Sequence, residues 1–312
     1  MARFAGIHEQ LRIVFLGTAG SWPTAERNTS CVALKRGAEV LLFDCGEGTQ
    51  RQFQRSGISY MEVSRVLITH LHGDHYLGIA GLVQTMDMNG RTEPLVIHGP
   101  PGTREAVAAL VQIGHFKPGF PIRVEELKDR SVVDVGDYEL RARSLRHNVP
   151  NLGYALVEKQ RPGRFNKAKA MELGVPEGPL FGKLQRGEDV TLPDGREVKS
   201  ADVVGAPRRG RKVVYTGDCV PCEATVDLAE GADVLIHDST FGSDYAEANA
   251  YGHSTSAQAA FMAQKAKAHH LYLTHFSARY RDVRPLLEDA RKVFPATDAA
   301  HDFLDVEVQF PE

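Results

Sequence analysis

Four cysteines in 312 residues, Cys31, Cys45, Cys219 and Cys222, are too few to staple a chain of this length. That excludes a disulfide framework and makes a reducing, cytoplasmic setting the expectation. There is no apolar run near the roughly 18 residues that a membrane helix needs, so no membrane span is expected. The opening MARFAGIHEQLRIVFLG lacks the layout of a signal peptide, because its apolar part is a short strand-like run. No excess of positive charge announces a nucleic-acid binder: 37 Lys and Arg against 40 Asp and Glu leave a net charge of −3. Internal repeats and low-complexity tracts are missing. The glycines of FLGTAG lack the spacing of a nucleotide-binding loop and read as turn formers. Cys219 and Cys222 form a C-x-x-C with no second pair, a weak signal for zinc or redox chemistry that reads as two semi-buried thiols around Pro221.

Short apolar runs recur. RIVFLG, EVLLFDCG, RVLITH, PLVIHG, KVVYTGD, DVLIHD and HLYLTH read as strands, many buried on both faces. GTREAVAALVQIG, TSAQAAFMAQKAKAH and RDVRPLLEDARKVF place apolar residues three and four apart and read as helices, the second capped by Ser254 or Thr255. A further helix is expected after Tyr76, with Leu77, Ala80, Leu82 and Met86 toward the core. Mixed α and β of this kind predicts helices layered outside sheets.

From residue 158 to 212 the rhythm breaks. Apolar runs are few, Gly and Pro are many, and Lys and Arg outnumber Asp and Glu although the chain as a whole is acidic. LPDGRE centres a hairpin on Asp-Gly. A structureless loop this long is uncommon in a compact domain, so the stretch reads as an inserted basic arm, with residues 1–157 and 213–312 forming the core.

The densest chemistry is ITHLHGDHYLG, with three histidines and an aspartate in six residues. His70 and His72 are two apart after a strand-like run, and Gly73 permits a turn that brings Asp74 and His75 to the same place. Neutral imidazole and carboxylate suit Zn²⁺, and also Mn²⁺ or Fe²⁺. Four residues of one loop can hardly close a shell, so further ligands must come from elsewhere. A ligand delivered just beyond an apolar run is offered by His147, Asp218 and His275. The expected sets are His70, His72, His147 and Asp218 for one ion, and Asp74, His75, Asp218 and His275 for the other. A water between two such ions would be deprotonated near neutral pH and become a nucleophile. His8, His98, His115, His269, His270 and His301 read as surface or supporting groups.

HLHGDH followed by those three later ligands resembles the H-x-H-x-D-H pattern of the metallo-β-lactamase superfamily. The resemblance implies an α+β fold, a four-layer αβ/βα sandwich with two metal ions at the strand edges. Nearly the whole chain resembles one branch, the ribonucleases Z, which trim the 3′ trailer from precursor tRNA. FLGTAGSWPTAERNTS, LLFDCGEGTQRQ, GVPEGPLFGKLQRGEDVTLPDGR, YTGDCVPC, HDSTF and GHSTS carry it. The resemblance makes 158–212 a flexible arm that grips tRNA, with Lys167, Lys169, Lys183 and Arg186 as contacts. It places Arg27 and Asn28 near the cut, and Asp74, His253 and Asp238 in catalysis. It further implies two Zn²⁺ per subunit, a homodimer, and products with a 3′-hydroxyl and a 5′-phosphate. Three family loops read P-x-K-x-R-N, H-E-A-T and H-S-T. Here Ala25 replaces the lysine, Asp238 the glutamate, and His253-Ser254-Thr255 is intact.

Two rivals differ in class. A hydrolase of a small ester or phosphodiester would need no basic arm. An RNA-binding scaffold with a degenerate site would not retain a ligand-capable residue at every metal position.

Overall fold

The computed structural model describes residues 10–245 and 247–311. His8 and the first nine residues, on which the reading of the N-terminus rests, lie outside them. The described chain divides into two compact units, residues up to 157 with 211–309, and residues 158–210 with Phe310 and Pro311.

The larger unit holds two seven-stranded sheets. The first runs, in spatial order, Asp305–Glu307, Leu11–Gly17, Cys31–Arg36, Glu39–Phe43, Val63–Leu67, Leu95–Gly99 and Ile122–Glu126. The second runs Thr297–Ala299, His270–Thr274, Val234–Asp238, Lys212–Tyr215, Asn151–Glu158, Tyr138–Leu145 and Val132–Asp134. In each sheet, strands on one side are antiparallel and the neighbours that carry helical crossovers are parallel. Alternate side chains of both sheets meet in a shared core, with Phe15 against Tyr272 at 5.5 Å and Phe43 stacked on Tyr215 at 5.3 Å. The opposite face of the first sheet, Val14, Leu16, Leu42, Val66 and Ile97, is covered by the helices Thr49–Ser56, Gly78–Met88 and Thr103–Val111. That of the second, Val214, Leu235, Leu271 and Leu273, is covered by Glu223–Ala229, Ser256–Lys265 and Arg284–Val293. The layering is the expected αβ/βα sandwich. Thr255 rather than Ser254 caps Ser256–Lys265, in a reciprocal box with Gln258.

Two details differ from expectation. The helix after Tyr76 starts at Gly78, so its buried face is Ile79, Leu82, Val83 and Met86, and Leu77 at the junction is exposed. Strands also stop earlier than their apolar runs: Val63–Leu67 ends three residues before His70. The residues beyond the strands become loops, and those loops hold the site.

The smaller unit has its own core of Ala170, Val175, Leu184, Val190, Leu192, Val198 and Val203. Around it lie the helices Lys167–Glu172, Pro179–Gln185 and Ser200–Val203, and the hairpin Val190–Thr191 with Glu197–Val198. Asp194-Gly195 makes the turn, with Gly195 at φ +87°. Phe310 belongs here because Arg161 stacks its guanidinium on that ring at 3.6 Å. Residues 211 and 212 instead belong to the core, where Lys212 pairs with Val157.

Candidate metal centre

Loops after strand ends of both sheets converge on one cluster. After Val63–Leu67 come His70 and His72, then Asp74 and His75 in the short helix Gly73–Tyr76. After strands of the second sheet come His147, Asp218 and His275. Ligand atoms of His70, His72, His147 and Asp218 all lie within 4.8 Å of one another, as do those of Asp74, His75 and His275. Asp218 joins the two groups, with Oδ2 3.7 Å from His70 Nε2 and 3.3 Å from His75 Nε2, and Oδ1 3.2 Å from His275 Nε2. Asp74 Oδ2 is 3.4 Å from Nε2 of both His75 and His275.

The imidazoles are aimed from behind. His75 Nδ1 hydrogen-bonds Asp44 at 2.7 Å, His147 Nδ1 the Gly252 carbonyl at 2.8 Å, His275 Nδ1 Thr240 Oγ1 at 2.8 Å, and His70 Nδ1 Thr69 Oγ1 at 3.0 Å. With Nδ1 engaged, Nε2 of each is left for the centre. Asp44 is itself buried and also accepts from Thr69 N and the Tyr215 hydroxyl. It and His275 hold positive φ, +57° and +62°, a strained conformation for residues with side chains.

This donor set fits a divalent cation. His75 Nε2 and Asp218 Oδ1 are buried with no hydrogen-bond partner, which is costly unless something else satisfies them. Burial and neighbouring imidazoles hold His70 well below the usual histidine range, so its neutral imidazole could donate to a cation. Burial also opposes charge on His75, yet Asp218, Asp44 and Asp74 push it well up. The carboxylates around it thus draw positive charge into the cluster.

His253 stands at the edge, 3.0 Å from Asp238 Oδ2 and 3.1 Å from Thr240 Oγ1 through Nδ1. Burial works against its charge, but Asp238 and Asp218 push it up to about 9. Asp238 is fixed in turn by Thr240 N, Thr240 Oγ1, Ser254 N and Cys219 N. His237 is fully buried, its Nδ1 on the Asp238 carbonyl, and serves the core. A cleft of about 350 Å³ opens over His72, Asp74, His147, Asp218 and His253.

Among the described residues, no cation-binding cluster includes a cysteine. Cys219 is fully buried and Cys222 half-buried, consistent with packed thiols. Arg27 turns inward. Its Nη1 donates to Thr18 Oγ1 and the Ala300 carbonyl, and its guanidinium lies 4.8 Å from the Phe276 ring centre. Asn28 donates its side-chain amide to the Glu47 carbonyl and its backbone N–H to Asp302. Both residues brace the loop, which leaves Ser21 N to donate to Asp74 Oδ2 at 2.9 Å.

Sequence reasoning passed over Asp44, Thr240 and Asp302. The rule that found Asp218, a polar residue just beyond an apolar run, also selects Asp44 at the end of EVLLFD. No spacing in the sequence points to Asp302.

Comparison with known proteins accords with this geometry. The family described as Beta-lactamase superfamily domain matches residues 193–276, and Anti-Pycsar protein Apyc1 matches residues 11–104. Ribonuclease Z of Methanosarcina acetivorans is 47% identical over 302 residues, covering 96% of this chain and 99% of that protein. Ribonuclease Z of Haloferax volcanii is 52% identical over 287 residues, covering 91% and 90%. The chain belongs to the ribonuclease Z family. Human tRNase Z, short form, superposes with a TM-score of 0.70 at 27% identity, over 96% of this chain and all of that one. This member of the ribonuclease Z family is therefore an endoribonuclease of tRNA processing on a metallo-β-lactamase fold, with a His/Asp cluster suited to divalent metal. No helix among its described residues is long and apolar enough to cross a membrane.

Proposed function

We propose that the chain cleaves the 3′ trailer from precursor tRNA, leaving a tRNA 3′-hydroxyl and a 5′-phosphorylated trailer. The observation that carries this is the cluster itself, seven ligand side chains with buried, unpartnered His75 Nε2 and Asp218 Oδ1, in a chain about half identical to ribonucleases Z. His70, His72, His147 and Asp218 would hold one Zn²⁺, and Asp74, His75, Asp218 and His275 a second, with Mn²⁺ or Fe²⁺ also suited. When bound, such ions supply Lewis acidity toward a phosphoryl oxygen and a nucleophilic water at neutral pH.

The chain's own groups do the rest. His253, charged because of Asp238, is the proton donor to the departing 3′ oxygen. Asp238 and Thr240 fix its Nδ1 side, which leaves Nε2 for the substrate. The smaller unit is the tRNA grip, and exposed Lys167, Lys169, Lys183 and Arg186 are its phosphate contacts. Lys167 and Arg186 are now in surface pairs with Glu177 and Glu188, which cost little to exchange for phosphate. We read the working form as a cytoplasmic homodimer, on the family resemblance.

The test is cleavage of a precursor tRNA with a 3′ trailer, mapped to the nucleotide, with chelator and with metal restored. One metal-dependent cut at the base after the acceptor stem is expected. Metal bound and a small phosphodiester hydrolysed, with the precursor untouched, would favour the small-substrate hydrolase instead.

A further inference from the structure

Beside the metal cluster stands an aromatic wall that metal binding and proton donation leave unused. It starts at His253, whose ring meets the edge of Phe241 at 5.9 Å. Phe241 stacks on Tyr245 at 4.3 Å with 23° between planes, and Tyr251 lies 6.2 Å from Tyr245. Arg279 lays its guanidinium 4.3 Å from the Tyr245 ring centre and 4.9 Å from that of Phe241. Phe241, Tyr245, Tyr251, Arg279 and Trp22 all line the cleft over the cluster.

Phe241 is buried, but packing does not account for the outer rings. Trp22, the chain's single tryptophan, is 60% exposed, and Tyr251 is 55% exposed. Large aromatic surface left in water beside a catalytic cleft marks a binding face. Nor is the wall loose. The Tyr251 carbonyl accepts from Asn148 Nδ2 at 2.9 Å, and the next carbonyl, of Gly252, accepts from the metal-facing His147. Gly242 N donates to the Tyr280 hydroxyl at 2.9 Å, which anchors the Phe241 end. Tyr251 is thus held in register with the cluster. Among the described residues the exposed Arg279 guanidinium has ring contacts and no carboxylate partner.

Flat aromatic faces interleaved with an unpaired cation are the chemistry that takes single-stranded RNA, bases on the rings and phosphate on the guanidinium. We propose that Tyr251 and Tyr245, with Trp22 in the same cleft, stack the unpaired base of the nucleotide that carries the departing 3′ oxygen, and that Arg279 contacts its phosphate. This rests on the cleavage reading above, because His253 protonates that oxygen and the wall begins at His253.

The test pairs a substrate change with a protein change. Precursor tRNA is made with and without the base at that one nucleotide, and cut by wild type and by Tyr251→Ala. Loss of the base should raise KM about tenfold for wild type and less than about twofold for Tyr251→Ala. Tyr251→Phe should keep the wild-type sensitivity. Equal base dependence in wild type and Tyr251→Ala would overturn the stacking role while leaving the cleavage reading intact. A wild type that cuts neither precursor would overturn both. Trp22 fluorescence needs no variant: product tRNA ending in the intact nucleotide should quench it, and the same tRNA without that base should quench it less. Equal quenching by the two would count against the proposal.

Discussion

His253 and Asp44 show how far a single residue's part can be argued from its contacts. His253 stands outside the four-residue and three-residue sets, neighbours Asp218 and His275 at their edge, and is charged by Asp238. His253→Ala should therefore slow precursor cleavage by about 10²- to 10⁴-fold, the usual worth of a positioned acid. Bound metal, read by elemental analysis, should stay near wild type, and a stripped centre would make His253 a ligand instead. Asp44 is the reverse case. It touches no substrate, but it accepts from His75 Nδ1, Tyr215 and Thr69 at once. Asp44→Asn keeps the shape and removes the charge that orients His75. Metal affinity should fall about 10- to 100-fold, measured by competition with a chromogenic chelator. Thermal stability alone falling, with affinity unchanged, would reduce Asp44 to a packing role.

At the scale of elements, the smaller unit carries its own apolar core and a closed hairpin, so it is removable as a piece. Replacing residues 159–209 by a short Gly-Ser linker should weaken precursor-tRNA binding and flatten its salt dependence, since fewer phosphates are neutralised. Hydrolysis of a small phosphodiester should survive. Loss of both would show that the piece supports the core. The same region marks what sequence reading could reach. Gly, Pro and basic residues announced a break, and Asp194-Gly195 announced the hairpin. The helices Lys167–Glu172 and Pro179–Gln185 are too short for periodicity to declare them. Strands buried on both faces, such as Val234–Asp238, were plain as apolar runs. Cys31–Arg36 and Asn151–Glu158 were not, because one ends in Lys35 and Arg36 and the other is interrupted by Gly153. Thr49–Ser56 is polar but for Phe53, which is buried with Thr49 and Gln52.

For the whole molecule, the residues that gather into the His/Asp cluster were legible because they sit at or just past apolar runs, and the pairing of those runs into two sheets was not. That pairing matters for more than catalysis. His70, His72, Asp74 and His75 hang from the first sheet, while His147, Asp218 and His275 hang from the second. Any cation they share is a tether between the two halves, added to the side-chain packing and hydrogen bonds that already join them. Removing it leaves carboxylates and orphaned imidazole nitrogen in a buried place, so ligand binding and folding are linked. Chelation should lower the melting temperature by several degrees, and restoring Zn²⁺ should reverse the shift, followed by calorimetry. Amide exchange should quicken first in the loops at 68–76, 146–150 and 217–222, at the rim of the sandwich. The enzyme would then report its own metal supply as resistance to proteolysis: a starved chain opens along the seam between its sheets and is cleared, and a loaded one persists.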